Sequence, residues 1–403
     1  MLLPFFTRAL NPQEFGIIAL FQVLCAGFGA VTGLSVHGAI SLNYFKGARA
    51  KFSQFIGICF LVLTASSLVV GGLVLAFSSF LSELAGLNGD WILVAVAVSS
   101  AQFVINIRLV VWQISGFPVK YGIFQILISS VAACGSVYLI SRLGLKEDGR
   151  ILSLAASTFI FSLISMLTLY KGGWIRWKWD RKLFNEAIAF GVPLIPHVLG
   201  TILMLMADRF IISKQLGLES VGVYFVAVQL ALPITMLADS YNRAFKPWLF
   251  EKLSQGEDEI AVVVSYISMA LFLVVGVVYS LVIYFIYPML IGTQYAAGQY
   301  IAVILILANT FQALYYTVAN YIFYDGRTSI MSALTMVNGF TYVLTGWFVV
   351  AAFGLIGLPI LATITGLCFF LCTWTVSNRI NQKPWFSGAR LKIKFRGMVN
   401  SIR

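Results

Sequence analysis

Apolar stretches long enough to cross a lipid bilayer recur along the whole chain, and they constrain its fold more than any other feature. A spanning helix needs about 20 apolar residues, whereas a transmembrane β-strand alternates over about ten. Charged residues make up 10% of the 403 residues, compared with about 25% in soluble domains. The sequence therefore predicts an all-α polytopic membrane protein with about eleven transmembrane helices, at 17–45, 52–77, 91–114, 119–141, 151–170, 187–212, 220–242, 260–287, 296–324, 328–352 and 354–378.

The distribution of Lys and Arg predicts how the chain is oriented in the membrane. The net charge is +12, which in a soluble protein would favour nucleic-acid binding. Here 20 of the 27 Lys and Arg lie in the loops and tail on one side of the predicted spans, as the positive-inside rule expects of the cytoplasmic side. We therefore predict a cytoplasmic C-terminus and no nucleic-acid partner. Arg108 lies within a span, and the other side holds Arg8, Arg142, Lys146, Arg150, Arg209 and Lys214.

A short internal repeat indicates that the chain consists of two related halves. Residues 5–16 match residues 211–222 at a constant offset of 206, and each copy ends one helix with a Ser/Thr–basic pair and begins the next after a short loop. Membrane transporters often consist of such repeated halves. Because the second copy follows the predicted span 187–212, the first copy would follow a helix before residue 1. We therefore expect a twelve-helix pattern that lacks its first helix.

A polar and aromatic segment at 171–186 divides the two predicted halves. It alternates tryptophans with basic residues, a combination that favours the membrane interface. We predict an N-terminal helix bundle at 1–170, an amphipathic cytoplasmic linker at 171–186, a C-terminal six-helix bundle at 187–378 and a basic cytoplasmic tail at 379–403. The alternating residues of the linker are Trp174, Arg176, Trp177, Lys178, Trp179, Arg181 and Lys182.

The sequence contains no motif that favours an enzyme. It has no Walker-type Gly-rich loop, no His-Glu-x-x-His helix and no Gly-x-Ser-x-Gly elbow. Cys368 and Cys372 share a helix face, but no His or acidic residue nearby completes a metal site. We therefore expect no catalytic residues, no cofactor and no metal. A membrane glycosyltransferase or polymerase, the alternative enzyme class, should show a long periplasmic loop or catalytic acids.

Polar residues within the span 187–212 are candidates for a substrate site, because polar groups in lipid are costly and usually face a cavity or another helix. His197 and Asp208 lie on one helix face, and Arg209 adjoins Asp208. This face suits a water-filled cavity in which Asp208 and Arg209 contact substrate, or in which His197 and Asp208 relay protons. A structural ion pair near the outer interface explains Asp208 and Arg209 equally well.

The span 296–324 has a stripe of amides and a tyrosine along one face. Such groups suit sugar hydroxyls, which need paired donors and acceptors beside a stacking ring. Helix–helix hydrogen bonding explains the same residues without a ligand, so both interpretations stay open. The stripe consists of Asn309, Gln312, Tyr316 and Asn320.

The third span contains a lone arginine beside a shorter polar stripe. Gln102 and Asn106 belong to the stripe, and Arg108 lies off it. An unpaired Arg at mid-membrane is costly, so we expect Arg108 to face an aqueous cavity or an anionic partner. The predicted spans of the first half contain no embedded carboxylate. This combination favours an anionic substrate such as a pyrophosphate.

Motifs between residues 190 and 250 form a recognisable pattern. They are Phe190-Gly191-Val192-Pro193 with Pro196-His197, then Asp208-Arg209, Leu216-Gly217, Val221-Gly222-Val223-Tyr224 and Ala244-Phe245-Lys246-Pro247-Trp248. This pattern resembles the polysaccharide-biosynthesis flippases, which belong to the MOP superfamily together with the MATE exporters.

The resemblance implies a MATE-like fold of two six-helix bundles around a cationic cavity in a bacterial inner membrane. It implies a flippase that moves an undecaprenyl-pyrophosphate-linked oligosaccharide, an O-antigen or capsule repeat unit, between leaflets by alternating access. Asp208-Arg209 matches the family's Asp-Arg pair, and Arg108 would be a cavity cation. The implied partners are the lipid-linked oligosaccharide, the lipid bilayer and polysaccharide assembly proteins. An alternative of the same fold, a cation-coupled multidrug exporter, would favour embedded carboxylates in the first half.

Overall fold

The computed structural model describes the backbone of residues 3–46, 49–325, 327–380 and 385. Within these ranges, the structure leaves undescribed the side chains of 41, 42, 45, 46, 49, 84, 194, 196, 197, 199–205, 328, 329 and 332. The regular secondary structure of the described ranges is helical throughout. The α-helices are α1 Leu3–Ala9, α2 Pro12–Val31, α3 Ala39–Lys46, α4 Arg49–Ala76, α5 Ser78–Ala85, α6 Gly89–Ile114, α7 Pro118–Leu143, α8 Lys146–Lys171, α9 Arg181–Gly191, α10 Ile195–Ser254, α11 Asp258–Leu290, α12 Gly298–Tyr324, α13 Thr328–Phe353 and α14 Gly357–Ile380.

The helices confirm an all-α polytopic membrane protein. In the described part of the chain, nine helical stretches are long and apolar enough to cross a membrane. Ala333–Ile380 combines two of the predicted spans, and Met206–Ser254 covers the end of one predicted span and the whole of the next. The nine stretches therefore cover ten of the eleven predicted spans in whole or large part, and the end of the span 187–212.

The chain divides into two compact units, Met1–Ser213 and Lys214–Arg403. The division falls within the long helix α10 and after the predicted span 187–212. The predicted linker at 171–186 lies before that span, so the domain bounds derived from the sequence stay a prediction. Each unit is described separately below, as unit 1 and unit 2.

The start of α2 shows how local sequence fixes a membrane helix in unit 1. The backbone N–H of Glu14 donates to Oδ1 of Asn11 at 2.8 Å, and the N–H of Asn11 donates to Oε2 of Glu14 at 2.8 Å. This reciprocal cap satisfies two N–H groups that a helix start leaves without partners, and Pro12 suits the first helical position. The other carboxylate oxygen of Glu14 lies 2.8 Å from Nζ of Lys146, which links the starts of α2 and α8.

A break interrupts the first predicted span, so the expectation of one continuous helix at 17–45 is wrong. Residues Thr32–Gly38 form a 3₁₀ stretch in which Gly33, Leu34 and Ser35 have left-handed backbone angles, with φ values of 71°, 48° and 54°. Such angles are unfavourable for Leu and Ser. Tertiary contacts hold them: the Gly33 N–H donates to Oγ of Ser66 in α4 at 2.8 Å.

Helix α10 extends beyond the predicted span 220–242 into residues expected to form a cytoplasmic loop. It continues to Ser254 because Phe245, Leu249 and Leu253 lie one turn apart and are all buried in unit 2. A buried stripe at this spacing favours a helix whatever the polarity of its other face. Gly217 interrupts α10 with φ 83° and ψ 174°, angles that favour glycine.

Candidate functional site

Unit 1 contains a cavity of about 500 Å³ between four of its helices and the break at Thr32–Gly38. Helices α2, α6, α7 and α8 each present one face to it. Its volume lies within the range of small-molecule sites. The lining residues are Cys25, Ala26, Gly29, His37, Val98, Ser99, Gln102, Phe103, Asn106, Ile128, Ser129, Ala132, Arg150, Leu154, Ser157 and Thr158.

Arg150 supplies the permanent charge of this cavity. Its Nη1 donates to Oγ of Ser136 at 2.9 Å, and its guanidinium carbon lies 4.8 Å from the centroid of the Phe6 ring. These two contacts fix the planar group between α1 and α7. Because a guanidinium has five N–H donors, further donors remain for a ligand. Of the cavity-lining residues in the described part of the chain, none is Asp or Glu.

His37 is placed in the cavity by the break. Its ring packs edge-on against Phe103, with the ring centroids 5.2 Å apart. Nδ1 of His37 is buried and has no hydrogen-bond partner among the described residues. A Cβ at Gly33 would lie 2.3 Å from the Phe103 ring, so the glycine lets the backbone approach that ring. The left-handed turn thus positions a polar side chain that a continuous helix would direct elsewhere.

The remaining polar groups of the cavity come from α6, α7 and α8. Nε2 of Gln102 donates to Oδ1 of Asn106 at 3.0 Å, which orients both amides. The hydroxyls of Ser99 and Ser157 donate to the carbonyls of Cys25 and Ile128 at 2.8 and 2.9 Å. A serine hydroxyl that donates in this way still offers lone pairs as an acceptor. The cavity therefore combines the Arg150 cation with amide and hydroxyl groups, and Asn106 is among the residues that line it.

Arg108, the predicted cavity cation, lies on another part of α6. It is 9% exposed, and its guanidinium carbon lies 4.1 Å from the centroid of the Trp112 ring. This cation–π contact stabilises the charge in the interior, where it is worth about 2 kcal/mol. Nε and Nη1 are buried without a hydrogen-bond partner among the described residues. Arg108 does not line the cavity described above, and its role in substrate binding stays a prediction.

Asp208 and Arg209 are buried together in unit 1. Nη1 of Arg209 lies 3.6 Å from Oδ1 of Asp208, and the same oxygen accepts from the Arg209 backbone N–H at 2.8 Å. The pair is thus close enough for the structural ion pair that the sequence left open, and contact with substrate stays a prediction. The side chain of His197 lies outside the described residues.

The stripe on α12 bonds to the second half of α10 within unit 2. Asn309 donates to the carbonyl of Ala231 at 3.1 Å, and the Tyr316 hydroxyl donates to Oδ1 of Asp239 at 2.8 Å. Nδ2 of the third member, Asn320, donates to Oδ1 of Asn242 at 2.7 Å. We call these three bonds the α10–α12 seam. Gln312 is half-buried, one turn before Tyr316. The seam provides the helix–helix hydrogen bonds that the sequence left as one of two interpretations.

Two cavity residues escaped the sequence prediction. Arg150 was assigned to a loop because it lies close to the end of an apolar run, but α8 begins earlier, at Lys146, and directs Arg150 inward. His37 lay unnoticed within an apolar span. The one local signal was the Gly-x-x-x-x-Gly spacing of Gly33 and Gly38 around it, which marks a place where a helix can break.

The fold of this multi-pass membrane protein is similar to that of solved transporter structures. A multidrug resistance MATE family transporter in its inward-facing conformation matches with a TM-score of 0.75 and 13% identity over 93% of this chain and 92% of that one. The lipid II flippase MurJ, in an inward closed conformation, matches with a TM-score of 0.70 and 13% identity over 93% of this chain and 83% of that one. These likenesses confirm the predicted MATE-like fold.

Two particular relatives come from Haemophilus influenzae. Lsg locus putative protein 1 is 25% identical over 362 residues, 85% of this chain and 84% of its own length. An uncharacterized membrane protein of the same organism is 23% identical over 355 residues, with the same shares of both chains. No family model matches the chain.

Proposed function

We propose that this protein is a flippase that moves an undecaprenyl-pyrophosphate-linked oligosaccharide across the bacterial inner membrane by alternating access. In this proposal the cavity of unit 1 holds the anionic and sugar-bearing headgroup, and the lipid tail remains in the bilayer. The fold supports a transporter, since multidrug exporters and a lipid II flippase share it.

The observation that supports an anionic substrate is the charge of the cavity lining. Arg150 provides a fixed cation, His37 provides a second polar nitrogen, and the described lining contains no carboxylate. Arginine binds phosphate oxygens through paired, charge-assisted hydrogen bonds. A carboxylate-free, arginine-bearing cavity therefore suits a pyrophosphate better than a cationic drug.

The amides and hydroxyls of the cavity support a sugar next to that anion. Gln102 and Asn106 offer both donors and acceptors, and Ser129 and Thr158 add hydroxyls. Sugar hydroxyls need such mixed partners, because a buried hydroxyl without a hydrogen bond loses about 1–3 kcal/mol. The proposed contacts of Arg108 and Arg209 with substrate would add cationic groups outside this cavity, and Asp208 would add a carboxylate beside Arg209.

A second candidate is a multidrug exporter, which the likeness to the MATE transporter favours. Such a function would require an acidic group at the substrate site. In unit 2, Asp239 is a half-buried carboxylate within a membrane helix and bonds to Tyr316. Drug-resistance assays on a strain that expresses the protein separate this candidate from the flippase.

The flippase proposal is tested by reconstitution. The purified protein is placed in vesicles that contain fluorescent undecaprenyl-pyrophosphate oligosaccharides, and movement to the outer leaflet is measured by accessibility to a membrane-impermeant quencher. We expect the native protein to transfer the oligosaccharide faster than protein-free vesicles do. The Arg150→Gln variant should transfer it more slowly than the native protein. Transfer no faster than in protein-free vesicles, combined with drug resistance in cells, would overturn the proposal.

A further inference from the structure

The linker at 171–186 is fixed to the first turns of α4 by backbone contacts. The Arg176 N–H donates to the carbonyl of Ser53 at 3.0 Å, and Oγ of Ser53 donates to the carbonyl of Gly173 at 2.9 Å. Nε2 of Gln54 donates to the carbonyl of Lys178 at 3.2 Å. The linker atoms in these three bonds belong to its backbone.

One side of the linker is buried against α4. Ile175 is buried, and Trp174 packs edge-on against Phe52 with the ring centroids 5.8 Å apart. A Cβ at Gly57 would lie 2.2 Å from the Arg176 carbonyl oxygen, so this close approach depends on the glycine. Residues 174–180 of the segment are neither helix nor strand, and α9 begins at Arg181.

The linker also exposes aromatic and basic side chains, and the centroid of the Trp177 ring lies 6.0 Å from that of Phe60 in α4. Trp177 and Trp179 are 54% and 58% exposed, values that are high for side chains so apolar. The linker has two acidic residues: Glu186 is exposed in α9, and Asp180 accepts from the backbone N–H groups of Lys182 and Leu183 at 2.9 and 3.3 Å, and so caps α9. The exposed basic residues that follow Gly173 are Arg176, Lys178, Arg181 and Lys182. We call this surface the linker patch.

The linker patch lies beside the part of α4 that is expected to enter the membrane. Gly57 lies seven residues inside the candidate span Ala50–Ala76, roughly 10 Å along the helix axis. Tryptophan is enriched at this depth, where headgroups meet acyl chains. Lys and Arg side chains there extend back toward the phosphates.

We propose that the linker patch binds anionic phospholipid headgroups, with Trp177 and Trp179 seated at the headgroup–acyl boundary and the four basic side chains on the phosphates. Lipid is the partner because the patch lies against a spanning helix at membrane depth. The lipid is anionic because the basic residues of the patch are attracted to an anionic leaflet. This proposal does not depend on the cavity or on the transported substrate.

Fluorescence quenching by brominated lipids tests the proposal on the full chain. The protein is reconstituted in phosphatidylcholine–phosphatidylglycerol vesicles in which either the neutral or the anionic lipid is brominated, at one fixed composition. Subtracting the signal of W177F/W179F isolates the two linker tryptophans. We expect brominated phosphatidylglycerol to quench them several-fold more than brominated phosphatidylcholine. We expect that preference to disappear in R176Q/K178Q/R181Q/K182Q.

A matched control removes charge elsewhere in unit 1. Lys120 and Arg142 are exposed at the two ends of α7, and K120Q/R142Q should keep the full preference of the linker tryptophans. The linker backbone holds its place on α4 without the substituted side chains, so unchanged helicity and elution volume are expected of every variant. Equal quenching by the two brominated lipids in the native protein, or an unchanged preference after the fourfold substitution, would overturn the proposal.

Discussion

Gly191 lies directly against the carbonyl oxygen of Leu34: a Cβ at Gly191 would be 2.2 Å from that oxygen. Gly191 ends α9, and Leu34 is one of the left-handed residues of the break in the first span. The contact therefore joins the C-terminal end of α9 to the turn that presents His37 to the cavity. It explains how two unfavourable non-glycine conformations are held in place.

Gly191→Ala should destabilise the protein. The added methyl group has no room, and forcing it into a packed region costs about 1–3 kcal/mol. Thermal unfolding in detergent, followed by circular dichroism, should show a lower Tm. Gly72→Ala is the control, because a Cβ at Gly72 in α4 meets nothing within 4 Å. Equal Tm values for the two variants would show that the contact does not support the fold.

Arg150→Gln should weaken binding of the proposed anionic substrate. Losing a charge-assisted hydrogen bond costs about 1.5–3 kcal/mol, or roughly ten- to a hundredfold in affinity. Binding of a fluorescent undecaprenyl-pyrophosphate oligosaccharide to the purified protein measures this loss. Arg150→Lys should lose less, because it keeps the charge but not the planar fork.

The control for this effect is Arg142→Gln, which removes an exposed cation at the end of α7 and should bind normally. Arg108→Gln provides a sharper comparison between two arginines of unit 1. If the cavity around Arg150 is the anion site, the loss from Arg108→Gln should be smaller. A larger loss of affinity from Arg108→Gln than from Arg150→Gln would show that the anion binds at Arg108, as the sequence alone predicted.

His37→Phe should lower transport while it leaves stability nearly unchanged. Phenylalanine keeps the ring contact with Phe103 but removes the ring nitrogens that face the cavity. Because Nδ1 has no described protein partner, the fold loses no hydrogen bond there. Transfer rates in vesicles, normalised to folded protein, measure the effect. A native rate in this variant would exclude His37 from the substrate site.

The α10–α12 seam should contribute to stability through direct pairwise coupling. Tyr316→Phe and Asp239→Asn each disturb the 2.8 Å hydrogen bond between these residues. A double-mutant cycle of unfolding free energies should give a coupling of about 0.6–1.7 kcal/mol, the range found between membrane helices. Thr345→Val, whose hydroxyl bonds within its own helix α13, serves as a control on an exposed position.

The same cycle decides between the two interpretations of the α12 stripe. If the stripe is structural, the variants lose stability while transport per folded molecule is unchanged. If it binds sugar, Tyr316→Phe should slow transport even where the protein is folded. The two outcomes differ in the transport rate per folded molecule, and not only in the amount of folded protein.

Hydropathy predicted the helices well because the bilayer imposes one requirement on every span: enough apolar residues in a row. It failed at Leu34 and Ser35 because their left-handed conformation is held by distant groups, among them Gly191. No local pattern near residue 34 encodes a contact with residue 191. The break and the position of His37 therefore needed the tertiary structure.

The predicted site residues and the cavity lining share Asn106, and the binding of substrate stays a prediction. The lack of embedded carboxylates in the first half pointed to an anionic substrate, and Asn106 does line the cavity. Arg150 was missed because the hydropathy of a short charged run cannot tell a loop from the first turn of a helix. The environment of Arg108 depends on Trp112, a neighbour whose ring orientation the sequence does not fix.

The α10–α12 seam also determines where the chain can accept added residues. Its three bonds join residues 78, 77 and 78 positions apart, so the two helices run parallel in one fixed register. One residue inserted within either partner would rotate all that follows by about 100° and misalign every later bond. The exposed turn at Gln255 and Gly256, between α10 and α11, lies outside both partners. An epitope tag or fluorophore placed there should leave unit 2 intact, whereas the same insertion after Asn309 should not.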